Sequence, residues 1–290
     1  MERCIGIVGP GLIGGSMAID LRRRGFGSYF LGVEKEGVNA SAALHMGIID
    51  EAVSLEECAE RADIVILAVP VGTACNMLPK ILDIFAANLA SNPDRLQLVM
   101  DTCSTKAGIT AAAESHPLRG HFVPSHPMAG TEYSGPWAAQ PSLFDGRACI
   151  IADPEKSEAW AVECVSELYS CLNMRLLEMD SKAHDMHTAY VSHISHVTSF
   201  ALALTVLDKE KDEKHIFDLA SGGFTSTVRL AKSNADMWVP ILAENKENLL
   251  QAIDTYLNRM QQFRDAIASG DESSIRELIN ESNRIKRILR

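Results

Sequence analysis

The sequence predicts an α/β protein: a doubly wound parallel sheet followed by an all-α half. Three observations carry this. Strand and helix patterns alternate over residues 1–152. A glycine-rich turn joins the first strand to the first helix. Over residues 153–290 helical patterns take over and no strand pattern is convincing. Alternation of this kind implies a parallel sheet covered on both faces.

The glycine turn is the most informative element. Cys4-Ile5-Gly6-Ile7-Val8 reads as a buried strand and Ser16 to Arg22 as a helix. Between them stands Gly9-Pro10-Gly11-Leu12-Ile13-Gly14. Gly9 permits the tight turn, Gly11 lets backbone approach a pyrophosphate, and Gly14 lets helix and strand pack closely. The helix start, with Leu12 and Ile13, offers unpaired N–H groups and a positive dipole end to phosphates. A second strand, Tyr29–Val33, ends at Glu34, where an acid accepts an adenosine 2′-hydroxyl and repels a 2′-phosphate. The pattern is Rossmann-type and predicts NAD rather than NADP. A turn serving packing alone is the competing reading.

The remaining elements follow in order. Strands are expected at 4–8, 29–33, 64–69, 96–100, 121–125 and 147–152, with helices at 12–24, 37–46, 55–61, 72–87 and 105–114. Val69 and Pro70 close the third strand, and ligands of such sheets lie outside the carboxyl ends of strands. Helices are expected at 156–172, 181–207, 210–220, 224–234, 237–268 and 272–288, with Ser269-Gly270-Asp271 between the last two. Asp236 is the expected cap of the long helix, with Pro240 in its first turn. Apolar faces such as Ile241, Leu242, Leu249, Leu250 and Ile253 predict a homodimer formed through this half.

Composition narrows the function classes. The chain has 290 residues, 47% hydrophobic, with a formal net charge of −11. That charge argues against a nucleic-acid partner, which needs a basic surface. An anionic substrate then needs a local cationic pocket. The seven cysteines are scattered, with no CxxC pair. They predict a reducing cytoplasm and no disulfide framework. No leader peptide is expected, and no segment reaches the apolar length of a membrane span.

Four clusters carry candidate chemistry. In Asp101-Thr102-Cys103-Ser104-Thr105-Lys106, Ser104 is either a helix cap or a hydroxyl near the nicotinamide. In Ser125-His126-Pro127-Met128-Ala129-Gly130-Thr131-Glu132, a strand-end histidine with rigid flanks suits a general base, against a purely structural histidine. In the segment 183–196, His193 and His196 are three apart and share a helix face, and Asp185 lies near it. A metal site and polar pairing within a helical core both remain open there. In Gly222-Gly223-Phe224 to Lys232, followed by Trp238, the glycine pair permits close backbone approach. Arg229 can hold a carboxylate bidentately or pair with a surface acid.

Together these residues resemble the prephenate/arogenate dehydrogenase family of tyrosine biosynthesis. GPGLIGGS, DTCSTK, SHPMAGTE, HDMHTAYVSHISHV and GGFTSTVRLAKSNADMWVPILAENKENLL match its pattern in order, over nearly the whole chain. The resemblance implies a two-domain NAD-dependent oxidative decarboxylase, divided at 1–152 and 153–290, that dimerises through its helical domain. It implies His126 as acceptor of the ring-hydroxyl proton and Ser104 as its support beside the nicotinamide. Arg229 is implied as the carboxylate ligand. His193, His196, Asp185, Thr131, Glu132, Gly222 and Trp238 are implied to line or support the pocket. Relatives often have proline where Ser195 stands, so the helix should run on without a kink. A β-hydroxyacid dehydrogenase explains the glycine turn but not SHPMAGTE or GGFTSTVRLAK. A non-catalytic NAD sensor does not explain His126, Ser104 and Arg229 together. The choice between prephenate and arogenate stays open, with Glu132 or Asp145 as possible partners for an amino group.

Overall fold

A computed structural model describes residues 3–213 and 215–288. Its larger sheet has six parallel strands: β1 (Cys4–Val8), β2 (Tyr29–Val33), β3 (Glu51–Ala52), β4 (Ile64–Leu67), β5 (Leu98–Asp101) and β6 (Phe122–Val123). Their order is β3-β2-β1-β4-β5-β6. The connections are α1 (Leu12–Arg23), α2 (Gly37–His45), α3 (Leu55–Arg61), α4 (Val71–Ser91) and α5 (Ala107–Ala113). Successive side chains on a strand point to opposite faces, so each strand feeds two cores. Ile5, Ile7, Ile66 and Met100 pack with Met17, Leu21 and Tyr169 on one side. Val8, Val65, Leu67 and Val99 pack with Leu78, Phe85 and Ile109 on the other. Both faces are dry, which is why these strands read as unbroken apolar runs. The order reverses at β1, which pairs with β2 on one side and β4 on the other. The crevice at their carboxyl ends is where such sheets bind dinucleotides.

A second, three-stranded sheet corrects the sequence reading. The expected strand 121–125 divides at Pro124 into β6 and β7 (Ser125–Pro127). β7 pairs antiparallel with β8 (Ala148–Ala152), and β8 pairs in parallel with β9 (Arg175–Met179) across α6 (Ala159–Cys171). No strand was expected beyond residue 153, so this sheet crosses the expected boundary at 152/153. β9 carries little strand signal because it is short and mostly solvent-facing, with Arg175 and Glu178 in a run of five.

The helical half also differs in detail. α7 (Ser181–Thr188), a π turn (Ala189–His193) and α8 (Ile194–Asp212) form one continuous helical span. The helix does run on through Ser195, as expected, but it is not uniformly α. By length and composition alone the span Ser181–Asp212 is apolar enough to cross a membrane, contrary to expectation. Its hydropathy tolerates the histidines, serines and threonines that it carries. The expected helix 210–220 is absent as such: α8 ends at Asp212, and a 3-10 turn occupies Phe217–Leu219. The expected helix 224–234 is α9 (Gly222–Thr227) plus a 3-10 turn at Arg229–Lys232. The expected helix 237–268 is two helices, α10 (Ala235–Glu244) and α11 (Lys246–Ser269), broken at Asn245. Asn234, not Asp236, caps α10 by accepting the Asp236 N–H. Pro240 therefore falls in the second turn of α10. The residues form two compact units, 1–245 and 246–290. In the second, α11 is followed by α12 (Glu272–Ser282), which Asp271 caps after Gly270 turns the chain at φ 68°. That break is where the sequence placed it.

Candidate active site

Gly9 adopts φ 89°, and a side chain there would meet the Ala68 carbonyl at 2.6 Å and Val69 at 2.9 Å. A Cβ on Gly14 would lie 2.4 Å from the Gly9 carbonyl oxygen. These two positions therefore exclude any other residue. Gly11 differs: a Cβ there would meet nothing nearer than the Gly135 backbone at 3.9 Å, so space remains above it. The start of α1, with Leu12 and Ile13, has no side-chain cap and no acid in its first turn. Glu34 follows β2, whose Val33 carbonyl accepts the Gly9 N–H at 2.9 Å. Val69 and Pro70 flank the start of α4, with Pro70 as its cap residue. The expected nucleotide-binding residues thus meet at one crevice. An open glycine turn, bare helix amides and a strand-end acid fit the pyrophosphate and ribose of NAD. The Gly135 backbone, at van der Waals distance from where a Gly11 side chain would begin, places the loop after His126, which carries Thr131 and Glu132, beside this turn.

Beyond the end of β5 lies a buried polar network. The Lys106 ammonium donates to Asp101, with both side chains fully buried, and to the Ser125 carbonyl at 2.7 Å. Asp101 accepts the Ser125 N–H at 3.0 Å and the Cys103 N–H at 2.9 Å. Ser125 is thereby pinned, and with it the next residue of β7, His126. The Nδ1 of His126 sits 2.9 Å from Nε2 of His184, and Nδ1 of His184 sits 2.8 Å from Oδ1 of Asp185. Asp185 also accepts the N–H groups of Lys106 at 2.7 Å and Ala107 at 2.8 Å. It therefore closes the start of α5, a role the sequence offered to Ser104. Ser104 is half-buried in the loop after β5 and does not cap the helix.

Burial sets the protonation states. It pushes the His126 imidazole well below its ordinary range, and His184, Lys106 and His193 add to the effect. His184 is also lowered by burial, against the pull of Asp185. Burial alone would raise the Asp185 carboxyl, but His184 and the two backbone amides bring it below its usual range. His126 and His184 are thus neutral beside an ionised carboxylate at neutral pH.

A second group adjoins the first. The Asn245 amide donates to the Asp185 carbonyl at 2.6 Å and approaches His193 Nδ1 at 3.0 Å. Burial holds His193 at about 4. His196 stacks on Trp238 with centroids 3.5 Å apart, and His193 meets the same indole edge-on at 5.9 Å. The Trp238 indole N–H is buried and unpartnered among the described residues. His196 is lowered by burial and by the nearby charge of Arg229, whose exposed guanidinium follows α9. Contacts therefore run without a gap from His126 to the neighbourhood of Arg229. The Nδ1 atoms of His193 and His196 face Asn245 and the Ser192 carbonyl, so polar pairing accounts for both.

Some expectations fail. Gly222 and Gly223 lie inside the first turn of α9, and nothing comes within 4 Å of where their side chains would begin. Among the described residues no close backbone approach explains them. Asp145 pairs with Arg24 at 2.6 Å, which commits it elsewhere. The sequence reading assigned no role to His184, Lys106 or Asn245. The adjacent pair His184-Asp185 was visible as a motif. Asn245 left no signal, because it interrupts a helical pattern.

Comparison with known proteins agrees with this geometry. The family model described as prephenate dehydrogenase, nucleotide-binding domain, matches residues 17–178, and that of the prephenate dehydrogenase dimerization domain matches 180–281. Prephenate dehydrogenase of Bacillus subtilis is 31% identical over 95% of this chain and 73% of its own length. Cyclohexadienyl dehydrogenase of Zymomonas mobilis is 29% identical over 99% of this chain and 96% of its own. Among solved structures, prephenate dehydrogenase from A. aeolicus in complex with hydroxyphenyl propionate and NAD+ superposes with a TM-score of 0.84. It is 29% identical and covers 99% of this chain and 98% of its own. Synechocystis arogenate dehydrogenase superposes with a TM-score of 0.75 at 27% identity, covering 98% and 99%. The chain is an oxidoreductase that belongs to the prephenate dehydrogenase family.

Proposed function

We propose that this protein converts prephenate to 4-hydroxyphenylpyruvate and carbon dioxide, with NAD as oxidant. The observation that carries the reading is His126: a buried, neutral imidazole in the strand that leads into the loop against the dinucleotide turn. Bound NAD supplies the hydride acceptor. His126 accepts the proton of the ring hydroxyl as that carbon is oxidised. The ring carboxylate then departs as carbon dioxide and the ring becomes aromatic, so the protein has mainly to position and polarise. Ser104 supports the substrate end of the cofactor site from the loop after β5. Arg229 binds a substrate carboxylate, which offsets the field of a chain with net charge −11. The unpartnered Trp238 N–H is a donor available to the substrate, beside His193 and His196. Thr131 and Glu132 line the loop facing the glycine turn, while Asp185 acts from behind the histidines. A second reading is dual use of arogenate, favoured by the cyclohexadienyl dehydrogenase relative.

The test is absorbance at the NADH band with prephenate and arogenate, each with NAD and NADP. Prephenate with NAD should turn over fastest. His126→Asn should bind NAD normally and lose roughly 10²–10⁴-fold in kcat. Near-normal turnover excludes His126 as the base.

We also propose a homodimer formed through the helical half, in a reducing cytoplasm. Exposed apolar side chains on α8, among them Leu204 at 60%, and on α10, Val239 at 63%, support a covering partner. All seven thiols are free, which suits such a compartment. A monomeric mass by light scattering would refute the dimer.

A further inference from the structure

We infer that His184 and Asp185 are positioning residues that fix which ring nitrogen of His126 carries its proton. The inference rests on the reading of His126 as the base. An ionised carboxylate only accepts hydrogen bonds. Asp185 Oδ1 faces His184 Nδ1 at 2.8 Å, so that nitrogen bears a hydrogen. His184 is neutral, so its Nε2 carries a lone pair and must accept. The atom facing it at 2.9 Å is His126 Nδ1, which must therefore donate. His126 is neutral as well, so its Nε2 is left bare. That nitrogen is the proton acceptor the reaction needs.

The rest of the site makes this order stable. Asp185 cannot turn away, because the Lys106 and Ala107 amides hold both of its oxygens. Asp185 and His184 are adjacent on α7, which leaves little freedom in their mutual geometry. The two imidazoles stand 66° apart, and their nearest polar atoms are the two ring nitrogens at hydrogen-bond distance, 2.9 Å. Reversing the order would need a proton on His184 Nε2. With Nδ1 already protonated, that makes His184 a buried cation near the Lys106 ammonium, which burial and like charge oppose. When His126 Nε2 takes a proton, its Nδ1–H bond to His184 strengthens and the new charge faces Asp185 through one ring. A free buried imidazole would instead populate both tautomers, and one of them presents N–H where a lone pair is required.

The test uses the full chain labelled with ¹⁵N at histidine. In long-range proton–nitrogen spectra near neutral pH, His126 should show a pyrrole-type Nδ1 and a pyridine-type Nε2, assigned by loss in His126→Asn. A pyridine-type Nδ1 overturns the inference whether or not the His184 variants fold. In kinetics, His184→Leu should lower kcat roughly 10²-fold, by analogy with wrong-tautomer variants of other base-dependent enzymes, and leave KM for NAD in place. His184→Gln, whose amide oxygen can accept from His126 while its nitrogen donates to Asp185, should recover most of that loss. Equal defects in the two variants, or a normal kcat in His184→Leu, would sink the inference. The two failures separate cleanly: an active His126→Asn removes the base reading, whereas an inactive one with a pyridine-type Nδ1 removes only this one.

Discussion

Replacing Lys106 by Met tests the network beneath the site. The lysine is fully buried, and among the described residues its ammonium donates to Asp101 and the Ser125 carbonyl. Removing one partner of a buried pair costs about 3–5 kcal/mol, because the other charge is left without compensation. Asp101 would keep the amides of Cys103 and Ser125, at 2.9 and 3.0 Å. Those contacts place the cost near the low end, about 3 kcal/mol. For a unit of this size each kcal/mol moves Tm by about 2–4 °C, so Lys106→Met should melt about 6–12 °C lower. Asp101→Asn/Lys106→Met, which removes both charges, should regain at least about 1 kcal/mol relative to Lys106→Met. Because the pair pins Ser125, kcat should fall together with Tm. Calorimetry and urea titration of the parent protein, Lys106→Met, Asp101→Asn and the double variant form the assay. A drop below about 2 °C, or strictly additive effects, would refute the reasoning.

Other perturbations follow from the same geometry. Burial lowers His126, His184, His193 and His196, so the folded chain refuses protons that the unfolded chain takes near 6.5. Their contribution is complete above that value and is lost as pH falls below it; for His193, held at about 4, the loss runs down to that value and amounts to at most about 3 kcal/mol. Urea midpoints that stay flat or rise between pH 7 and 5 would contradict this. In Gly14→Ala the new Cβ lies 2.4 Å from the Gly9 carbonyl and 2.8 Å from Ile7. α1 must back away, at a cost of about 1–3 kcal/mol, and calorimetric NAD affinity should fall. Unaltered affinity would show that the turn does not bind phosphate. Arg229→Ala should raise KM for prephenate by roughly tenfold to a hundredfold, the worth of about 1.5–3 kcal/mol for a charged hydrogen bond. An unchanged KM would remove Arg229 from the carboxylate site.

What the sequence revealed, and what it hid, divides along a physical line. Most of the sheet was legible because its long strands are buried on both faces and stand next to glycines with steric duties, as at Gly9 and Gly14; the two-residue edge strand β3, half-buried at Glu51 and exposed at Ala52, was not predicted. β9 was not legible, because its pairing with β8 is supplied from across α6 rather than by its own pattern. His126 was legible from its rigid flanks. Its partner was not: His184 lies 58 residues away along the chain, and only the fold makes them neighbours. Ser104 and Asp185 exchanged one duty for the same reason. Local chemistry offers a serine as the cap of α5, whereas tertiary structure delivers a carboxylate from α7. Asn245 was hidden because a helix break within an apolar pattern shows only in three dimensions.

The π turn at Ala189–His193 has a geometric consequence. In a uniform α-helix, at about 100° per residue, His184 and His193 would project half a turn apart, on opposite sides of the rod. One extra residue wound into the span turns everything after it back by about a quarter of a circle or slightly more. The carbonyl of Asp185 and the ring of His193 can then share a single asparagine amide. Winding the same number of residues as an unbroken α-helix would swing His193 and His196 out of phase with His184 and Asp185, whereas excising one amino acid from this stretch would restore a regular spiral and keep the phase. The wide turn thus holds the two histidine groups in register although the sequence spaces them half a turn apart.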